Sequence, residues 1–542
     1  MMDKAELTRE IKRKAIELGF SKVGIAKAQE LKDEAIKLSQ WLERRYEADM
    51  EWMRKSFEKR INPALVLPGA KSIISVALNY FQKLPQAQKD EGKISIYALG
   101  IDYHIVLKSK LEKLRQFILN LAPEANAKVY VDTGPVMEKV WATKAGIGWI
   151  GKNSNLITRE FGSWVFLGEI ITDIELEYDE PMADFCGKCT RCITACPTEA
   201  IVEPYVVDSN KCISYWTIEY KGNEFPDDLG KKFNNLIFGC DICQEVCPWN
   251  LKFQKETEVE EFKPFSYNLN PKLTDLSKLT EEQFKSNYKL SPIKRAKFHG
   301  FIRNVKNAIK NMVLRKISEL DFDCAIFDLD GVIADTFQFH FKSWRKICEE
   351  FGRDLSIDEF RTIVFGRRGE ESAKILFDGK IKDEEIKKIG TRVDEIFRDI
   401  ARGKLKSVDG AIEFLKILKE NGVKIALATS APDENVELIF DELNLYGLFD
   451  TVVTSKDVQR GKPAPDIFIL SAERLNCRAE RCIVFEDSIA GLISAKNAGM
   501  IAIGVETTLR KDELSNYADF SIKNFFEIIE ILKQRAVKNG GD

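Results

Sequence analysis

Eight of the twelve cysteines of this chain lie between residues 186 and 247. The first four follow the pattern Cys-x2-Cys-x2-Cys-x3-Cys-Pro, and a second run also ends in Cys-Pro. The eight are Cys186, Cys189, Cys192, Cys196, Cys212, Cys240, Cys243 and Cys247. In bacterial ferredoxins three closely spaced cysteines of such a run bind one [4Fe–4S] cluster and the fourth binds a second. The spacing therefore predicts two [4Fe–4S] clusters.

The same logic divides the eight ligands into two sets. The first set is Cys186, Cys189, Cys192 and Cys247, and the second is Cys196, Cys212, Cys240 and Cys243. A zinc ribbon is the alternative, but the triple cysteine run and the two Cys-Pro endings disfavour it. The remaining cysteines, Cys324, Cys348, Cys477 and Cys482, are expected to be small buried apolar side chains. Two clusters transfer single electrons without selecting a substrate, so we look for an acceptor site in residues 1–175.

Length and charge limit the kind of protein. At about 150 residues per domain, 542 residues predict three or four domains. The 82 Lys and Arg against 85 Asp and Glu give a net charge of −3, which argues against nucleic-acid coating as the main role. No apolar run reaches the roughly 18 residues of a membrane span, and the first residues are charged. We expect a cytoplasmic protein that acts as a monomer.

The hydrophobic pattern predicts a multidomain α/β protein. Residues 1–175 alternate strand-like and helical runs, as in an α/β or α+β domain, and 176–255 form the ferredoxin-like domain. Residues 256–320 are a linker and basic helical tail, and 321–542 show clean βαβ alternation. The cations of 294–316 predict a solvated helix face by default, with contact to a phosphate backbone as the alternative.

A carboxylate and a glycine-rich segment stand out in the first domain. Asp132 lies where a predicted strand ends, and from spacing alone the favoured interpretation is a cap on the helix that begins near Pro135. The segment 145–153 offers backbone amides and a lysine to a bulky polar ligand, although Gly-x-Gly alone is weak evidence.

Together with the cysteine array, several segments resemble the epoxyqueuosine reductase family, which acts in the last step of queuosine synthesis in tRNA. The resemblance covers about residues 1–310 and rests on Asn62-Pro63, on 67–72, on 97–104 and on the Asp132 and Trp149 segments. It implies a cobalamin-binding domain at 1–175 beside the two-cluster domain, with Asp132 as the proton donor. It also implies a queuosine-family tRNA anticodon loop as substrate and an external electron donor.

The resemblance also points to a cobalamin pocket. Its expected members are Arg60, Tyr97, His104, Asp132, Trp149, Lys152 and Asn153. Asp102-Tyr103-His104 looks like the start of a D-x-H-x-x-G signature, but the sixth position is Leu107, so we do not infer cobalt ligation by His104. Many family members continue into a helical-repeat domain thought to help hold tRNA, and here the fold changes instead. The basic stretch 294–316 is then a candidate for holding phosphate.

Four segments of the second half each end a strand with polar groups. The strand at 324–327 leads into Asp328 and Asp330, whose spacing puts both carboxylates on one side. The strand at 423–428 leads to Thr429, Lys462 follows Gly461, and the strand at 482–485 leads to Glu486 and Asp487. In this order the segments resemble the haloacid dehalogenase superfamily, with a Rossmann-like fold and a helical cap at about 337–404.

This second resemblance implies a role for each residue. Asp328 would be the nucleophile that forms an aspartyl-phosphate, and Asp330 the general acid and base. Thr429 would bind the phosphoryl group, and Lys462 would neutralise its charge. Mg²⁺ would be held by Asp328, Asp330, Glu486 and Asp487. Asp335-Thr336 and His340 echo the β-phosphoglucomutase-like branch, although His340 is equally interpreted as a packed helix residue. Hydrolysis of a small phosphorylated metabolite is favoured over mutase activity.

The leading hypothesis is therefore a bifunctional enzyme, a reductase fused to a Mg²⁺-dependent phosphohydrolase. One alternative is an iron–sulfur electron carrier for a partner reductase, fused to a sugar-phosphate mutase. Another is nucleic-acid binding as the main role, which the nearly balanced charge disfavours.

Overall fold

The structure, a computed structural model, describes residues 2–367, 369–377 and 382–539. The chain forms two compact units, Met1–Asn311 and Met312–Asp542. Within the described ranges, none of the helices combines the length and apolar character needed to cross a membrane.

Unit 1 is built on strands and short helices. Its strands are β1 (Lys22–Lys27), β2 (Ser72–Asn79), β3 (Lys93–Ile94), β4 (Ala127–Tyr130), β5 (Trp149–Ile150), β6 (Leu156–Ile157), β7 (Val165–Thr172), β8 (Ile201–Glu203), β9 (Val206–Val207) and β10 (Leu236–Phe238). Its helices are α1 (Lys4–Glu17), α2 (Lys32–Glu43), α3 (Trp52–Lys55), α4 (Phe57–Ile61), α5 (Tyr103–Leu121), α6 (Glu138–Lys144), α7 (Arg191–Ala195), α8 (Ile213–Ile218), α9 (Asp227–Gly230), α10 (Ile242–Glu245), α11 (Pro248–Phe253), α12 (Leu273–Leu276), α13 (Glu281–Asn287) and α14 (Lys297–Glu319).

The main sheet of unit 1 has the order β1-β2-β7-β4 and is antiparallel throughout. Alternate side chains of β2 and β7, such as Ile73 and Ile171, pack in one core with Trp141 of α6. Since side chains of a strand alternate between faces, Ser75 and Glu169 share the face that α6 covers. Helix α5 packs against β4 and β7. This arrangement places the turn after β4 at the edge of the core under α6.

The predicted elements of residues 1–175 are confirmed with small shifts of their ends. The strand-like runs correspond to β1, β2, β4 and β7, and the helical runs correspond to α1, α5 and α6. Helix α6 begins at Glu138 and not near Pro135, because residues 131–137 form an irregular turn in which Asp132 has a φ of 58°. The capping interpretation of Asp132 is therefore wrong, since Met137 holds the cap position without a side-chain hydrogen bond.

The basic stretch 294–316 is less solvated than the default prediction. Lys294 pairs with Asp102 at 2.9 Å, and Arg295 pairs with Glu219 at 2.9 Å. Arg303 is buried, and its guanidinium donates to the carbonyl oxygens of Trp216, Tyr220 and Gly222. These cations connect separate segments of unit 1, because a buried guanidinium needs several hydrogen-bond acceptors around it.

Unit 2 contains a six-stranded parallel sheet. Its strands are β11 (Cys324–Phe327), β12 (Lys424–Ala428), β13 (Thr451–Val453), β14 (Cys482–Glu486), β15 (Ile501–Val505) and β16 (Phe520–Ile522), in the order β13-β12-β11-β14-β15-β16. Its helices are α15 (Phe337–Glu350), α16 (Ile357–Glu359), α17 (Gly369–Phe377), α18 (Asp383–Ala401), α19 (Ala411–Glu420), α20 (Asp433–Leu443), α21 (Asp466–Arg474), α22 (Ile489–Asn497), α23 (Lys511–Leu514) and α24 (Phe525–Asn539).

The sheet and its helical insertion position the second site. In an open parallel sheet, ligands bind beyond the carboxyl ends of the strands. Strands β11, β12 and β14 are adjacent, so the residues that follow them meet at one edge. Helices α15 to α18 lie between β11 and β12 in sequence and enclose an apolar core of their own, with Trp344, Phe360 and Phe377 among its members.

The prediction for the isolated cysteines holds for two of the four. Cys348 and Cys482 are buried. Cys324 and Cys477 are instead joined in a disulfide, with their Cα atoms 6.6 Å apart. The prediction was wrong for this pair because β11 and the turn after α21 come together, which the separation of 153 residues in sequence conceals.

Candidate active sites

The four cysteines of the first set surround one cavity. Cys186, Cys189, Cys192 and Cys247 line a space of about 190 Å³. The aromatic side chains of Phe185 and Trp249 also face this space, with ring centroids 6.0 Å apart. Four convergent sulfurs in a largely apolar cavity are a donor set that fits a [4Fe–4S] cluster.

The cysteines of the second set also lie together. Burial, together with the nearby Asp241, Cys212 and Cys196, raises the pKa of the Cys240 thiol to about 12. Burial likewise raises the pKa of Cys243, helped by Cys240 and Cys212. Thiols held this close suit metal binding, since coordination removes their protons. The amide of Ala200 donates to Cys196 Sγ at 3.3 Å, as is usual for cluster sulfurs.

Asp132 lies in a pocket of polar and aromatic side chains. The Tyr103 hydroxyl donates to Asp132 Oδ2, and His104 Nε2 lies 3.6 Å from the same oxygen. The Tyr103 ring stacks on His104 and on Phe166, with centroids 4.1 and 4.4 Å apart. The Asp132 side chain itself is 52% exposed. The arrangement leaves one carboxylate facing outward between two groups that can supply protons.

The neighbouring Asp102 fixes the orientation of His104. Its Oδ1 lies 2.7 Å from His104 Nδ1, and Lys294 lies 2.9 Å from its Oδ2. Burial acts to raise the pKa of Asp102, but the hydrogen bonds with His104 and Lys294 outweigh burial and lower the pKa to about 2. Because Nδ1 is engaged, His104 presents Nε2, which is buried without a hydrogen-bond partner, toward Asp132.

The other predicted cobalamin contacts fall into two groups. Tyr97 and Arg60 lie by the Asp132 pocket: the rings of Tyr97 and Tyr103 are 6.2 Å apart, and Arg60 is half-buried within electrostatic reach of Asp132. Trp149, Lys152 and Asn153 lie instead by the cysteines. Lys152 donates to the carbonyls of Gly187 and Cys189 at 2.6 and 3.0 Å, and Trp149 packs against Cys247. Asn153 Nδ2 donates to the carbonyl of Cys243.

Two carboxyl groups of this region were not singled out from the sequence. Glu138 accepts a hydrogen bond from the backbone N–H of Asp132, and Glu169 is completely buried with neither oxygen hydrogen-bonded. Burial raises the pKa of both, and the charge of Asp132 raises them further. A glutamate in a helical run and one in a strand carry no motif, so only their three-dimensional surroundings reveal them.

In unit 2 the predicted acidic residues converge after β11 and β14. Oxygens of Asp328, Glu486 and Asp487 lie within 4.8 Å of one another. Lys462 is buried between them, 2.8 Å from Asp328 Oδ1 and 2.7 Å from Glu486 Oε2. Asp487 Oδ1 is buried with no hydrogen-bond partner, and burial with the nearby carboxylates raises the Asp487 pKa. Clustered carboxylates with an unpartnered oxygen fit Mg²⁺, which prefers oxygen ligands.

Asp330 has partners of its own. Thr336 Oγ1 donates to Asp330 Oδ1 at 2.7 Å, and His340 Nε2 lies 2.9 Å from the same oxygen. Burial opposes the Asp330 charge, but His340 and Thr336 outweigh burial and lower the Asp330 pKa. The His340 ring also stacks on Phe397 at 4.1 Å, as expected for a packed helix residue.

A cavity of about 630 Å³ joins these residues to the helical insertion. Asp328, Asp330 and Thr429 lie on the sheet side. The Thr429 hydroxyl accepts a hydrogen bond from the Ala431 amide at 3.0 Å. Four cations line the cavity as well: Arg367, Lys374, Lys387 and Arg398. Four further carboxylates line it too, Glu370, Glu371, Asp394 and Glu434, so the cavity is polar with charges of both signs. The cations can pair with the phosphate of a phosphorylated small molecule.

Comparisons with known proteins agree with this division. The family "Epoxyqueuosine reductase QueG, DUF1730" matches residues 60–133, and "4Fe-4S double cluster binding domain" matches 185–250. "Haloacid dehalogenase-like hydrolase" matches 325–505. The epoxyqueuosine reductase of Cellulophaga algicola is 47% identical over 297 residues, which cover 54% of this chain and 95% of that protein.

Two solved structures resemble the chain with a TM-score of 0.52 and 29% identity, each over 72% of this chain. One is an epoxyqueuosine reductase with a tRNA-Tyr epoxyqueuosine-modified tRNA stem loop, matched over 99% of its length. The other is the Bacillus subtilis enzyme with a catalytic aspartate loop swung out of the active site, matched over 98%.

Fold, sites and comparisons define an iron–sulfur oxidoreductase with a C-terminal haloacid dehalogenase-like hydrolase domain. Through its N-terminal part, the chain belongs to the epoxyqueuosine reductase family.

Proposed function

We propose that unit 1 reduces epoxyqueuosine to queuosine in tRNA with bound cobalamin and two [4Fe–4S] clusters. The observation that carries this proposal is the position of Asp132. It contacts two proton-bearing side chains, and the second set of cysteines lies nearby. Lys139 lies within electrostatic reach of Cys243 and Cys212 and also of Asp132. A chemical site and an electron source therefore adjoin one another. The tRNA stem loop bound by a structural relative supports the same substrate class.

The reaction removes an oxygen atom. An epoxide that becomes an alkene takes up two electrons and two protons and releases the oxygen as water. Cobalamin, held by residues such as Arg60, Tyr97 and His104, would supply the electrons that the reduction needs. Of the two protons, Asp132 donates one to the departing oxygen and solvent supplies the other, while Tyr103 and His104 hold the Asp132 carboxyl in place. Tyr97 and Arg60 line the same pocket and orient the bound groups.

The exposure of Asp132 fits a mobile role. Burial is what keeps a carboxylic acid protonated, whereas Asp132 is half exposed on its turn. In the Bacillus subtilis relative a catalytic aspartate loop swings out of the active site. We propose that residues 131–137 form the corresponding loop and that substrate binding buries Asp132, which would then raise its proton affinity.

Replacing Asp132 with Asn tests this role. Asp132→Asn keeps the shape and the hydrogen bond from Tyr103 but removes the acid. We expect epoxide reduction to fall by about a hundredfold or more, with iron content and cobalamin binding unchanged. Turnover is measured by mass spectrometry of the RNA, with the exposed Asp33→Asn on α2 as the matched control. Full turnover by Asp132→Asn would remove this residue from the mechanism. If the unaltered protein holds both clusters but does not bind cobalamin, the electron-carrier alternative would be favoured.

We propose that unit 2 is a Mg²⁺-dependent phosphohydrolase that acts through an aspartyl-phosphate. Asp328 attacks phosphorus, the leaving oxygen takes its proton from Asp330, and Asp330 then activates the water that hydrolyses the intermediate. Lys462 neutralises the charge around the phosphoryl group, and the Thr429 hydroxyl binds it. Mg²⁺ would be held by Asp328, Asp487 and the Asp330 carbonyl, with help from Glu486. The buried carboxylates with an unpartnered oxygen support this metal.

Replacing Asp328 with Asn tests the hydrolase. Asp328→Asn removes the nucleophile, so we expect phosphate release from p-nitrophenyl phosphate and a panel of sugar phosphates to fall at least about a thousandfold. The exposed Asp399→Asn on α18 is the control. Epoxide reduction by Asp328→Asn should persist. If both activities fell together, the two units would not be functionally independent.

A further inference from the structure

The cavity of the first cysteine set lies beside a surface that the proposed reaction does not use. Phe185 lines this cavity and is 38% exposed. Four exposed cations belong to the same region: Arg159, Lys188, Arg191 and Lys252. We call Phe185 and these four cations the entry face.

The contacts of the entry face tie its cations to the cavity wall. The Arg159 guanidinium lies 4.4 Å from the centroid of Phe185. Lys252 lies 5.1 Å from the Phe253 ring, which stacks on the cavity residue Trp249 at 5.2 Å. Lys188 and Arg191 lie between the cluster cysteines in sequence, so they flank the same cavity.

The positive charge of this face is only partly cancelled locally. In the described part of the chain, none of its four cations forms an ion pair with a carboxylate. Of the nearest acidic residues in sequence, Glu160 pairs with Lys22 at 2.7 Å. Asp184 accepts hydrogen bonds from the neutral Cys186 amide and Tyr205 hydroxyl, so it keeps its charge and offsets one of the four cations. In a chain of net charge −3, this is a local positive surface.

The positions of the two cysteine sets indicate the path that electrons take inward from this surface. The second set adjoins the Asp132 pocket through Lys139, whereas the first set opens on the entry face. Cys192 of the first set lies within electrostatic reach of Cys243 of the second. Electrons that arrive from outside therefore reach the first cluster, pass to the second and continue to the Asp132 pocket.

We propose that the entry face docks a small acidic one-electron carrier protein. The inference rests on the proposed reductase function. Two electrons are needed for each epoxide, so two reduced carrier molecules are oxidised in each turnover. A positive surface with one exposed aromatic ring fits a brief electrostatic encounter, which is the usual form of redox complexes. The other polyanion available to this enzyme is tRNA, and the test separates the two.

The test reverses charge at two positions outside the cysteine loops. The variant is Arg159→Glu with Lys252→Glu, and the control is Lys37→Glu with Lys113→Glu, two exposed lysines on α2 and α5. An oxidised bacterial flavodoxin is the probe, and its binding to the full chain is measured by calorimetry at low and high salt. We expect about tenfold weaker binding by the variant, unchanged binding by the control, and binding by the unaltered protein that weakens with salt.

Turnover provides a second readout. With reduced flavodoxin as donor we expect the variant to be slow, and with titanium(III) citrate we expect it to match the unaltered protein. Equal flavodoxin binding by variant and control, or salt-insensitive binding, would overturn the proposal. Loss of tRNA stem-loop binding with retained flavodoxin binding would assign the face to nucleic acid instead. Turnover of the unaltered protein with titanium(III) citrate separately tests the proposed reductase function.

Discussion

Glu169 is the residue of unit 1 that is hardest to explain by stability. It lies on β7 in the core face that α6 covers, and neither of its oxygens has a hydrogen-bond partner. Ser75, its neighbour across the sheet on β2, also has a hydroxyl without a partner. A buried carboxyl group without partners costs free energy, and the cost increases when the group ionises.

The sign of its pH dependence follows from the raised pKa. Burial raises the pKa of Glu169, so the folded state holds this proton more tightly than the unfolded state. The tighter proton binding of the folded state therefore contributes fully to the free energy of unfolding below the unfolded pKa of about 4.3. This contribution is lost as pH rises through the folded pKa of Glu169.

Glu169→Leu should therefore stabilise unit 1 most at high pH. Leucine fills a similar volume among Leu167 and Ile171 and has no polar atom to desolvate. Thermal unfolding of the cluster-loaded protein should show a higher midpoint at about pH 8 than for the unaltered chain, and a smaller difference at about pH 5. Glu124→Leu, at an exposed position, is the control. A lower midpoint at both pH values would show that Glu169 has a stabilising partner.

At the scale of elements, one turn decides the geometry of the hydrolase site. Gly331 follows the two aspartates after β11 and has a φ of 74°. A Cβ at this position would lie 1.8 Å from Asp487 Oδ2. The turn therefore requires glycine for its conformation and also for the close approach of the Asp487 carboxylate.

Gly331→Ala should weaken Mg²⁺ binding more than it weakens folding. Gly422→Ala is a matched control, because Gly422 has a φ of 73° and no atom within 4 Å of its would-be Cβ. Both variants pay the left-handed backbone cost of about 1 kcal/mol. Only Gly331→Ala displaces Asp487, so we expect its Mg²⁺ requirement for phosphate release to rise at least about tenfold. Equal Mg²⁺ titrations for the two variants would contradict this geometry.

Elements with regular periodicity were predicted well, and irregular ones were not. The strands β1, β2 and β4 alternate or run apolar over several residues, so their positions followed from the sequence. Residues 131–137 have no period, and their left-handed turn at Asp132 depends on the Glu138 carboxylate, which only folding brings close. For the same reason the partners of Arg303 were not foreseen, because its acceptors lie about 80 residues away.

The sites show the same contrast. Cysteine spacing and strand-end acids carry short-range information. The first cysteine set lines one cavity, the members of the second set lie within electrostatic reach of one another, and the Asp328 group forms a separate cluster in unit 2. Trp149, Lys152 and Asn153 contact the cysteine loops, and their expected place in the cobalamin pocket stays a prediction. A resemblance assigns residues to a region of a family, and it does not show which of two adjacent groups each side chain faces.

At the scale of the whole molecule, the chain joins two chemistries that share no residue in their sites. The epoxyqueuosine reductase of Cellulophaga algicola matches 297 residues, 54% of this chain, and the hydrolase match covers residues 325–505. The cavity described in unit 1 is lined by cysteine sulfurs, whereas that of unit 2 is lined by carboxylates and cations. The different ligand chemistry predicts that chelation of Mg²⁺ stops phosphate release and leaves epoxide reduction intact.

The most direct measurement is turnover of an epoxyqueuosine-modified tRNA stem loop by the full chain. The protein is loaded anaerobically with iron, sulfide and cobalamin and reduced with titanium(III) citrate, and the RNA is weighed by mass spectrometry. The account predicts about eight bound iron atoms per chain and a loss of one oxygen atom from the RNA that depends on Asp132. An unchanged RNA mass with fully loaded protein would contradict it.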